Sequence, residues 1–321
     1  LCSILWIKEN QADVWAATAR FGHCNTYLVK KLTGAWAIDP STTSITCMYN
    51  TAKDDLTWNE GILAAVGVPL AKLPPLLRSE QKVGNLRPAI AAKLGLSPEV
   101  AVLAGGNDAV LAAWSGGLSQ PGDISNVHGT CDISSICIEQ PVSSPAFNVR
   151  CHVIPHRWVI FYVLNTGGKA LEWFHATFCQ DMSEGDFFEN YVPAVLEQFL
   201  GNKEADRIEN DLPEYIPYLQ GSRYSTEPLA ASFSNLTLQT TREAMLLALI
   251  RGNLSYQAKH IQEVAKLVDL NHTVKTTGGE AKIRAFLKAK KRWMGDFDYE
   301  FHDQSSLLGA AMLGQRYLLG H

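Results

Sequence analysis

The feature that most constrains the fold of this chain is a repeated order of apolar strand, paired glycines and helix. Each apolar run predicts a buried strand, and each segment after the glycines has helical periodicity. The order occurs at 99–114, 158–178 and 274–293. Alternation of strands and helices is typical of domains in which helices cover a largely parallel sheet. We therefore predict the α/β class.

The length of 321 residues is sufficient for two domains, each with its own core. A turn-rich segment at 119–123 follows the glycines that end the first strand–turn–helix unit. We place the domain boundary there, with a first domain over 1–118 and a second over 119–321. A hairpin pattern opens the second domain, and its turn lies at 128–132.

Composition and charge exclude several classes of protein. Lys and Arg number 28 against 32 Asp and Glu, so the net charge of −4 lacks the positive footprint of a nucleic-acid binder. Apolar runs stay below the roughly 18 residues that a membrane-spanning helix needs. The 7 cysteines have no metal-finger spacing, which indicates reduced thiols. We expect a cytoplasmic protein without nucleic-acid or membrane partners, and a solvated basic run at 288–292.

The glycine turns indicate phosphate binding, because backbone N–H groups in such turns and at helix N-termini bind phosphate oxygens. The chain contains neither a Walker loop nor a GxGxxG motif, which disfavours those two nucleotide sites. Asp108 directly follows one glycine pair at a predicted helix start. Its spacing allows two interpretations: an N-cap, or a general base at the carboxyl end of a strand, where open α/β sheets bind ligands.

Six short motifs follow one another along the chain: Asn25-Thr26-Tyr27-Leu28-Val29 to Gly34, Ala104-Gly105-Gly106-Asn107-Asp108-Ala109, Pro121-Gly122-Asp123 with His128-Gly129-Thr130, Asn165-Thr166-Gly167-Gly168 with Trp173, Thr277-Gly278-Gly279-Glu280-Ala281, and Leu308-Gly309-Ala310-Ala311. In this order they resemble the DYLxxxLTG, GGxGDxA, EPGxxxxxxGTS, glycine-then-tryptophan, GGGA and LGAA segments of the FGGY carbohydrate kinases. The resemblance is closest to the xylulokinase-like members and extends over essentially the whole chain.

The resemblance implies two ribonuclease-H-like domains of the actin and sugar-kinase type, with a cleft between a sugar-side first domain and a nucleotide-side second domain. It implies that Asp108 is the catalytic base for a sugar hydroxyl, from a ketopentose such as xylulose or a related polyol. Gly129 and Thr130 would form a phosphate loop, and Gly168 and Gly279 would contact ATP, with Gly279 beneath the adenosine. Mg²⁺ would bridge the phosphates.

The chain also departs from the family pattern. The family's opening DxGTxxxR motif occurs nowhere in it, so the resemblance implies that the first domain is incomplete. Cys131 and Asp132 replace Ser and Gly after the phosphate turn, and Glu280 replaces a glycine. A carboxylate beside a triphosphate is unfavourable unless it is directed away. His128 could contact a phosphate or have a structural role.

These departures keep two other functions open: a non-catalytic nucleotide-binding relative, and another ATPase of the actin-like fold. A homodimer is also left open. If the kinase interpretation holds, we expect the joint at 119–123 and the segment at 308–311 to lie near an interdomain hinge.

Overall fold

The computed structural model describes residues 1–320. Its strands are β1 Lys82–Asn85, β2 Ala101–Leu103, β3 Ile124–His128, β4 Asp132–Ile138, β5 Asn148–Cys151, β6 Trp158–Leu164, β7 Glu214–Ile216, β8 Ser232–Ser234, β9 Thr273–Gly278 and β10 Asp298–Phe301. Its α-helices are α1 Cys2–Asn10, α2 Ala12–Ala17, α3 Cys24–Thr33, α4 Pro40–Thr43, α5 Glu60–Val66, α6 Pro88–Leu94, α7 Asp108–Ser115, α8 Gly168–Phe178, α9 Glu184–Asp186, α10 Val192–Leu200, α11 Ala205–Asp211, α12 Arg242–Ala265, α13 Arg284–Trp293 and α14 Ser306–Leu319. Among these helices none combines the length and apolarity needed to cross a bilayer.

A mixed six-stranded sheet forms the centre of residues 119–320, in the order β10-β9-β3-β4-β6-β5. Strand β9 runs parallel to both of its neighbours, β3 and β10, whereas β4, β6 and β5 continue the sheet in antiparallel fashion. The three predicted strand–turn–helix units correspond to β2–α7, β6–α8 and β9–α13. The predicted α/β class is therefore observed.

Both faces of this sheet are covered by other elements. Successive residues of a strand point to opposite sides, so alternate residues pack in different clusters. On β6, Ile160 and Tyr162 pack in a cluster that includes Val264 of α12. The alternate residues Val159 and Phe161 pack in a cluster with α7 and α14. Helix α7, which begins at Asp108, therefore packs directly against the six-stranded sheet.

The first part of the chain has a smaller core of its own. Buried Ile38, Met48, Trp58 and Leu63 form a cluster against which the first helices pack. Its two strands, β1 and β2, pair with each other in antiparallel fashion. Strand β2 falls within the predicted strand at 99–103.

Helix α7 and helix α14 meet at a glycine. A Cβ at Gly309 would lie 2.2 Å from the carbonyl oxygen of Leu111, so only glycine permits this approach. The hydroxyl of Ser115 also donates to the carbonyl of Ser305. The segment 308–311 therefore lies beside the helix that precedes the joint. The domain boundary and the hinge remain predictions, and the last residue of the predicted second domain, His321, lies outside the described residues.

A buried histidine lies against the residue that precedes the joint. His152 Nε2 is 2.9 Å from the carbonyl oxygen of Leu118, and its Nδ1 accepts a hydrogen bond from the amide of Ile154 at 2.9 Å. These partners assign the proton of the neutral ring to Nε2. Burial lowers the pKa of His152 to about 4, with a smaller opposing effect of the Leu118 carbonyl.

The pKa of His152 predicts a loss of stability in acid. The unfolded chain takes up this proton near its ordinary pKa of about 6.5, whereas the folded chain resists protonation until about pH 4. The contribution of His152 is therefore complete above the unfolded pKa and is lost progressively as the pH falls from about 6.5 to about 4. Between about pH 7.5 and about pH 5 this loss is on the order of 2 kcal/mol.

Urea denaturation of the wild type and of His152→Gln at both pH values measures this effect. The Gln side chain keeps a donor for the Leu118 carbonyl but cannot titrate, so the variant should lose less stability in acid than the wild type. His272→Gln is the control, because the side chain of His272 is 64% exposed. An identical pH dependence in wild type and His152→Gln would contradict the prediction.

Candidate active site

Two of the glycine turns meet where parallel strands β3 and β9 end. His128, the last residue of β3, pairs with Gly278, the last residue of β9. Gly278 has φ +103°, and a Cβ there would lie 1.8 Å from the carbonyl oxygen of His128. Only glycine fits this close approach. It brings the hairpin turn at 129–131 and the residues after β9 to one edge of the sheet.

The glycine turn at Gly167-Gly168, at the start of α8, joins the same edge of the sheet. The amide of Gly168 donates to the carbonyl of Gly129 at 2.8 Å, and the amide of Gly167 donates to the carbonyl of Thr130 at 3.0 Å. A Cβ at Gly168 would lie 2.9 Å from the Gly129 oxygen. The structure thus brings together Gly129, Thr130 and Gly168, and gives the glycine at 168 a packing reason.

Gly129 and Gly279 have no such packing reason. No atom of residues 1–320 lies within 4 Å of a Cβ built at Gly279, and at Gly129 the nearest is the Cys131 carbonyl oxygen at 3.9 Å. Neither residue has the positive φ that favours glycine. A side chain at either position would project into open space above the turns. Both glycines therefore leave room for something other than the chain itself.

The hairpin turn retains part of the expected phosphate-binding capacity. The amide of Gly129 donates to the Cys131 carbonyl at 3.1 Å, so that group is used inside the turn. Over residues 1–320, no hydrogen bond engages the amide or the hydroxyl of Thr130, and the residue is exposed. Thr130, rather than Gly129, therefore offers the free donors of this turn.

A cluster of buried ionisable groups lies beneath the turn. His128 Nδ1 is 2.7 Å from Asp132 Oδ1 and 3.1 Å from Glu280 Oε2. Lys290 is fully buried and donates to Asn126 Oδ1 at 2.8 Å. The basic run was predicted to be solvated, and for Lys290 this is wrong, because α13 places that residue on its buried side.

The charges of this cluster balance one another. Burial lowers the pKa of Lys290 to about 7, against the effect of Asp132 and Glu280, which raise it. Burial alone would also lower the pKa of His128, but the neighbouring carboxylates, Asp132 foremost, hold it above its ordinary value. Three ligand atoms of His128, Asp132 and Glu280 lie within 4.8 Å of one another, as in metal sites. Lys290 acts on the two carboxylates only through charge, because its Nζ bonds to Asn126 and Thr276.

The carboxylates of Asp132 and Glu280 point inward, away from the place expected for the phosphates. Asp132 and Glu280 replace small family residues beside the expected phosphates, yet both side chains are buried against His128. A Cβ at Gly167 would lie 2.1 Å from Asp132 Oδ1, so glycine at 167 makes room for this carboxylate. His128 is likewise structural, since its side chain is fully buried.

Asp108 occupies the first turn of α7 but does not cap it. The cap is Asn107, whose Oδ1 accepts a hydrogen bond from the amide of Val110 at 3.4 Å. Asp108 is exposed and follows the loop that leaves the carboxyl end of β2. Asp108 Oδ1 accepts a hydrogen bond from the amide of Ala109 at 2.8 Å, and the exposed carboxylate remains open to a ligand.

The loop before Asp108 is held by hydrogen bonds to Ser41 and, through it, to Asp39, which the sequence analysis missed. The amide of Asn107 donates to Ser41 Oγ at 2.9 Å, and the Ser41 hydroxyl donates to the carboxylate of Asp39. Asp39 is fully buried and caps α4 by accepting from the amide of Thr42 at 3.1 Å. Burial raises the pKa of Asp39, and the hydrogen bonds of Ser41 and Thr42 oppose that rise. An Asp directly before a Pro was the available signal for this cap.

Comparison with solved structures identifies the fold. The chain superposes on the ligand-bound xylulose kinase from Lactobacillus acidophilus with a TM-score of 0.86 and 19% identity, over 99% of this chain and 63% of that one. The α/β class and the sugar-kinase fold are therefore the predicted ones, and this chain covers only part of that fold.

Sequence comparison shows similarity to carbohydrate kinases. Residues 1–115 match the N-terminal domain of the FGGY family of carbohydrate kinases. Over 98% of its length the chain is 27% identical to the xylulose kinase of Bacillus subtilis (strain 168), and over 98% it is 25% identical to the gluconokinase of Bacillus licheniformis. The chain is therefore similar in sequence to carbohydrate kinases, and its first 115 residues are similar to the FGGY N-terminal domain. It spans 61% of the length of each of these two relatives.

Proposed function

We propose that this chain belongs to an ATP-dependent kinase that phosphorylates a sugar hydroxyl. The observation that carries the proposal is the pair of glycines with open space above them, Gly129 and Gly279, beside the N-terminus of α8. Glycine without an internal reason, next to the unengaged donors of Thr130, fits a nucleotide whose phosphates and ribose approach the backbone closely. The sequence similarity to carbohydrate kinases supports the same assignment.

In this proposal Asp108 is the general base. It accepts the proton of the sugar hydroxyl as that oxygen attacks the γ-phosphorus, and ADP leaves with the electrons of the broken bond. Phosphoryl transfer requires positioning and charge stabilisation more than covalent chemistry, and an exposed carboxylate on a fixed helix start suits that task.

Mg²⁺ fits the donors that line this region. The exposed Thr130 hydroxyl is an oxygen group, the class that Mg²⁺ prefers together with phosphate oxygens and water. The ion, when bound, would neutralise charge on the phosphates. In this arrangement Thr130 orients the phosphates, and Asp108 accepts the proton of the sugar hydroxyl.

The acceptor we propose is a ketopentose such as xylulose or a related polyol. Relatives named xylulose kinase and gluconokinase match the chain at similar identity, so a sugar acid belongs in the same test. The decisive assay couples ADP formation to NADH oxidation in the full-length gene product with Mg–ATP. D-xylulose, D-ribulose, glycerol and D-gluconate are supplied separately.

We expect ADP to form only when an acceptor is present, with the largest rate on xylulose. ATP hydrolysis at one rate with and without every sugar would indicate another ATPase of this fold. ADP binding without turnover on any acceptor would indicate a non-catalytic relative.

A further inference from the structure

Arg150 extends from the edge strand β5 to the residue before Asp108. Its Nη1 donates to Asn107 Oδ1 at 3.1 Å, and its guanidinium carbon lies 4.6 Å from the centroid of the Phe161 ring. The Nε atom is buried and has no hydrogen-bond partner within residues 1–320. The aromatic ring and the Asn107 side chain thus hold a cation beside the proposed base.

Arg223 lies beside the hairpin turn. Its Nε donates to Asn165 Oδ1 at 2.6 Å, and its Nη2 is 3.8 Å from Cys131 Sγ. The next residue, Tyr224, fixes this segment to β6, because its hydroxyl donates to the Phe161 carbonyl at 3.2 Å. Arg223 itself is exposed.

These two cations lack a carboxylate partner. In the part of the chain that the structure describes, no Asp or Glu oxygen lies within 4.0 Å of either guanidinium. Burial lowers the pKa of Arg150, Asp108 raises it and Arg223 lowers it further, so both charges act on this guanidinium. Two guanidinium groups outside any ion pair, one bonded to Asn107 and one beside the hairpin turn, favour the binding of an anion between them.

We propose that Arg150 and Arg223 bind the γ-phosphoryl group of the nucleotide during its transfer. Arg150 contacts it from the side of Asp108, and Arg223 contacts it from the side of the hairpin turn. Guanidinium groups match phosphate oxygens in geometry and charge. The assignment rests on the proposed kinase function and adds phosphoryl-binding residues from the second half of the chain.

The transfer step is balanced with these groups in place. The bond between the γ-phosphorus and the bridging oxygen of ADP breaks, and a bond to the sugar oxygen forms. The proton of the sugar hydroxyl passes to Asp108. The two arginines stay protonated and stabilise the negative charge of the phosphoryl oxygens throughout.

The test separates binding of the γ-phosphoryl group from binding of the rest of the nucleotide. Calorimetry on the full-length gene product measures the affinities of Mg–ADP and of the non-hydrolysable analogue adenylyl imidodiphosphate. For Arg150→Gln and Arg223→Gln we expect ADP affinity to stay within about twofold, since ADP lacks the contacted group. Affinity for the analogue should fall by roughly tenfold or more, as for a lost charged hydrogen bond. Turnover on the best acceptor should fall by about a hundred- to a thousandfold.

Two further variants sharpen this test. Arg150→Lys keeps the charge and much of the packing on Phe161 but loses the forked donor, so it should retain an intermediate analogue affinity and turnover. Arg87→Gln is the matched control, because Arg87 is an exposed arginine at the start of α6. It should leave both affinities and the turnover unchanged.

The outcomes distinguish this inference from the kinase proposal. Equal losses of ADP and analogue affinity, or no loss of either, in an enzyme that phosphorylates sugar would overturn the phosphoryl site and leave the function standing. A selective loss of analogue affinity in a protein that phosphorylates no acceptor would support the phosphoryl site and overturn the function.

Discussion

Replacement of Asp108 by Asn is expected to reduce sugar phosphorylation by about a hundred- to ten-thousandfold while the protein still folds and binds ADP. The size of the side chain is nearly unchanged, and only its basicity is lost. The cap of α7 is Asn107, so the substitution removes no capping bond. Because Asp108 is exposed, it also leaves no buried partner unsatisfied.

The chain offers a matched control for this variant. Helix α5 begins in the same way, with Asn59 as the cap, accepting from the amide of Ile62 at 3.0 Å, and Glu60 as the first residue. Glu60→Gln removes an exposed acid from the same helix position, which costs about 0.3–1 kcal/mol through the helix dipole. We expect its turnover to equal that of the wild type.

Steady-state rates on the best acceptor, ADP affinity by calorimetry and the melting temperature decide between the two roles of Asp108. Near-normal turnover of Asp108→Asn, with a drop in melting temperature like that of Glu60→Gln, would show that the carboxylate only complements the helix dipole. The base would then have to be sought elsewhere in the cleft.

The parts of the fold that local pattern determines were predicted well. Trp158–Leu164 is an uninterrupted apolar run, and its predicted bounds are those of β6. Paired glycines after β2 and β6 and within the end of β9 marked the turns, because close backbone approach leaves few other residue types available. Gly168 and Gly278 illustrate this directly, since a Cβ at either would collide with a carbonyl oxygen of the hairpin region.

The parts that tertiary contacts determine were not accessible from the sequence. Strand β5 is short and partly polar, Asn148-Val149-Arg150-Cys151, and only pairing with β6 makes it a strand. Arg150 therefore could not be placed beside Asp108. In the same way, Lys290 looks like one member of a surface basic run, yet α13 carries it beneath the hairpin turn. The orientation of Asp132 and Glu280 depends on their contacts with His128.

The second large effect is expected at Gly279, where Val should weaken ADP binding by about ten- to a hundredfold. Its backbone is helical, with φ −60° and ψ −48°, so a branched side chain is tolerated there. No atom of the described chain would meet the new Cβ within 4 Å. The free protein should therefore keep its melting temperature, and the cost should fall on the nucleotide that shares the space.

Two other glycines define the controls for this variant. Gly314 also has open space around a built Cβ, but it lies within α14, so Gly314→Val should change neither ADP affinity nor sugar phosphorylation. Gly278→Val should instead destabilise the fold, because its Cβ would collide with the His128 carbonyl at the end of β3. Calorimetry and thermal melting of the three variants separate loss of a ligand contact from loss of structure. Unchanged ADP affinity in a folded Gly279→Val protein would show that the nucleotide does not bind at this edge of the sheet. Glycine at 279 would then have no explanation.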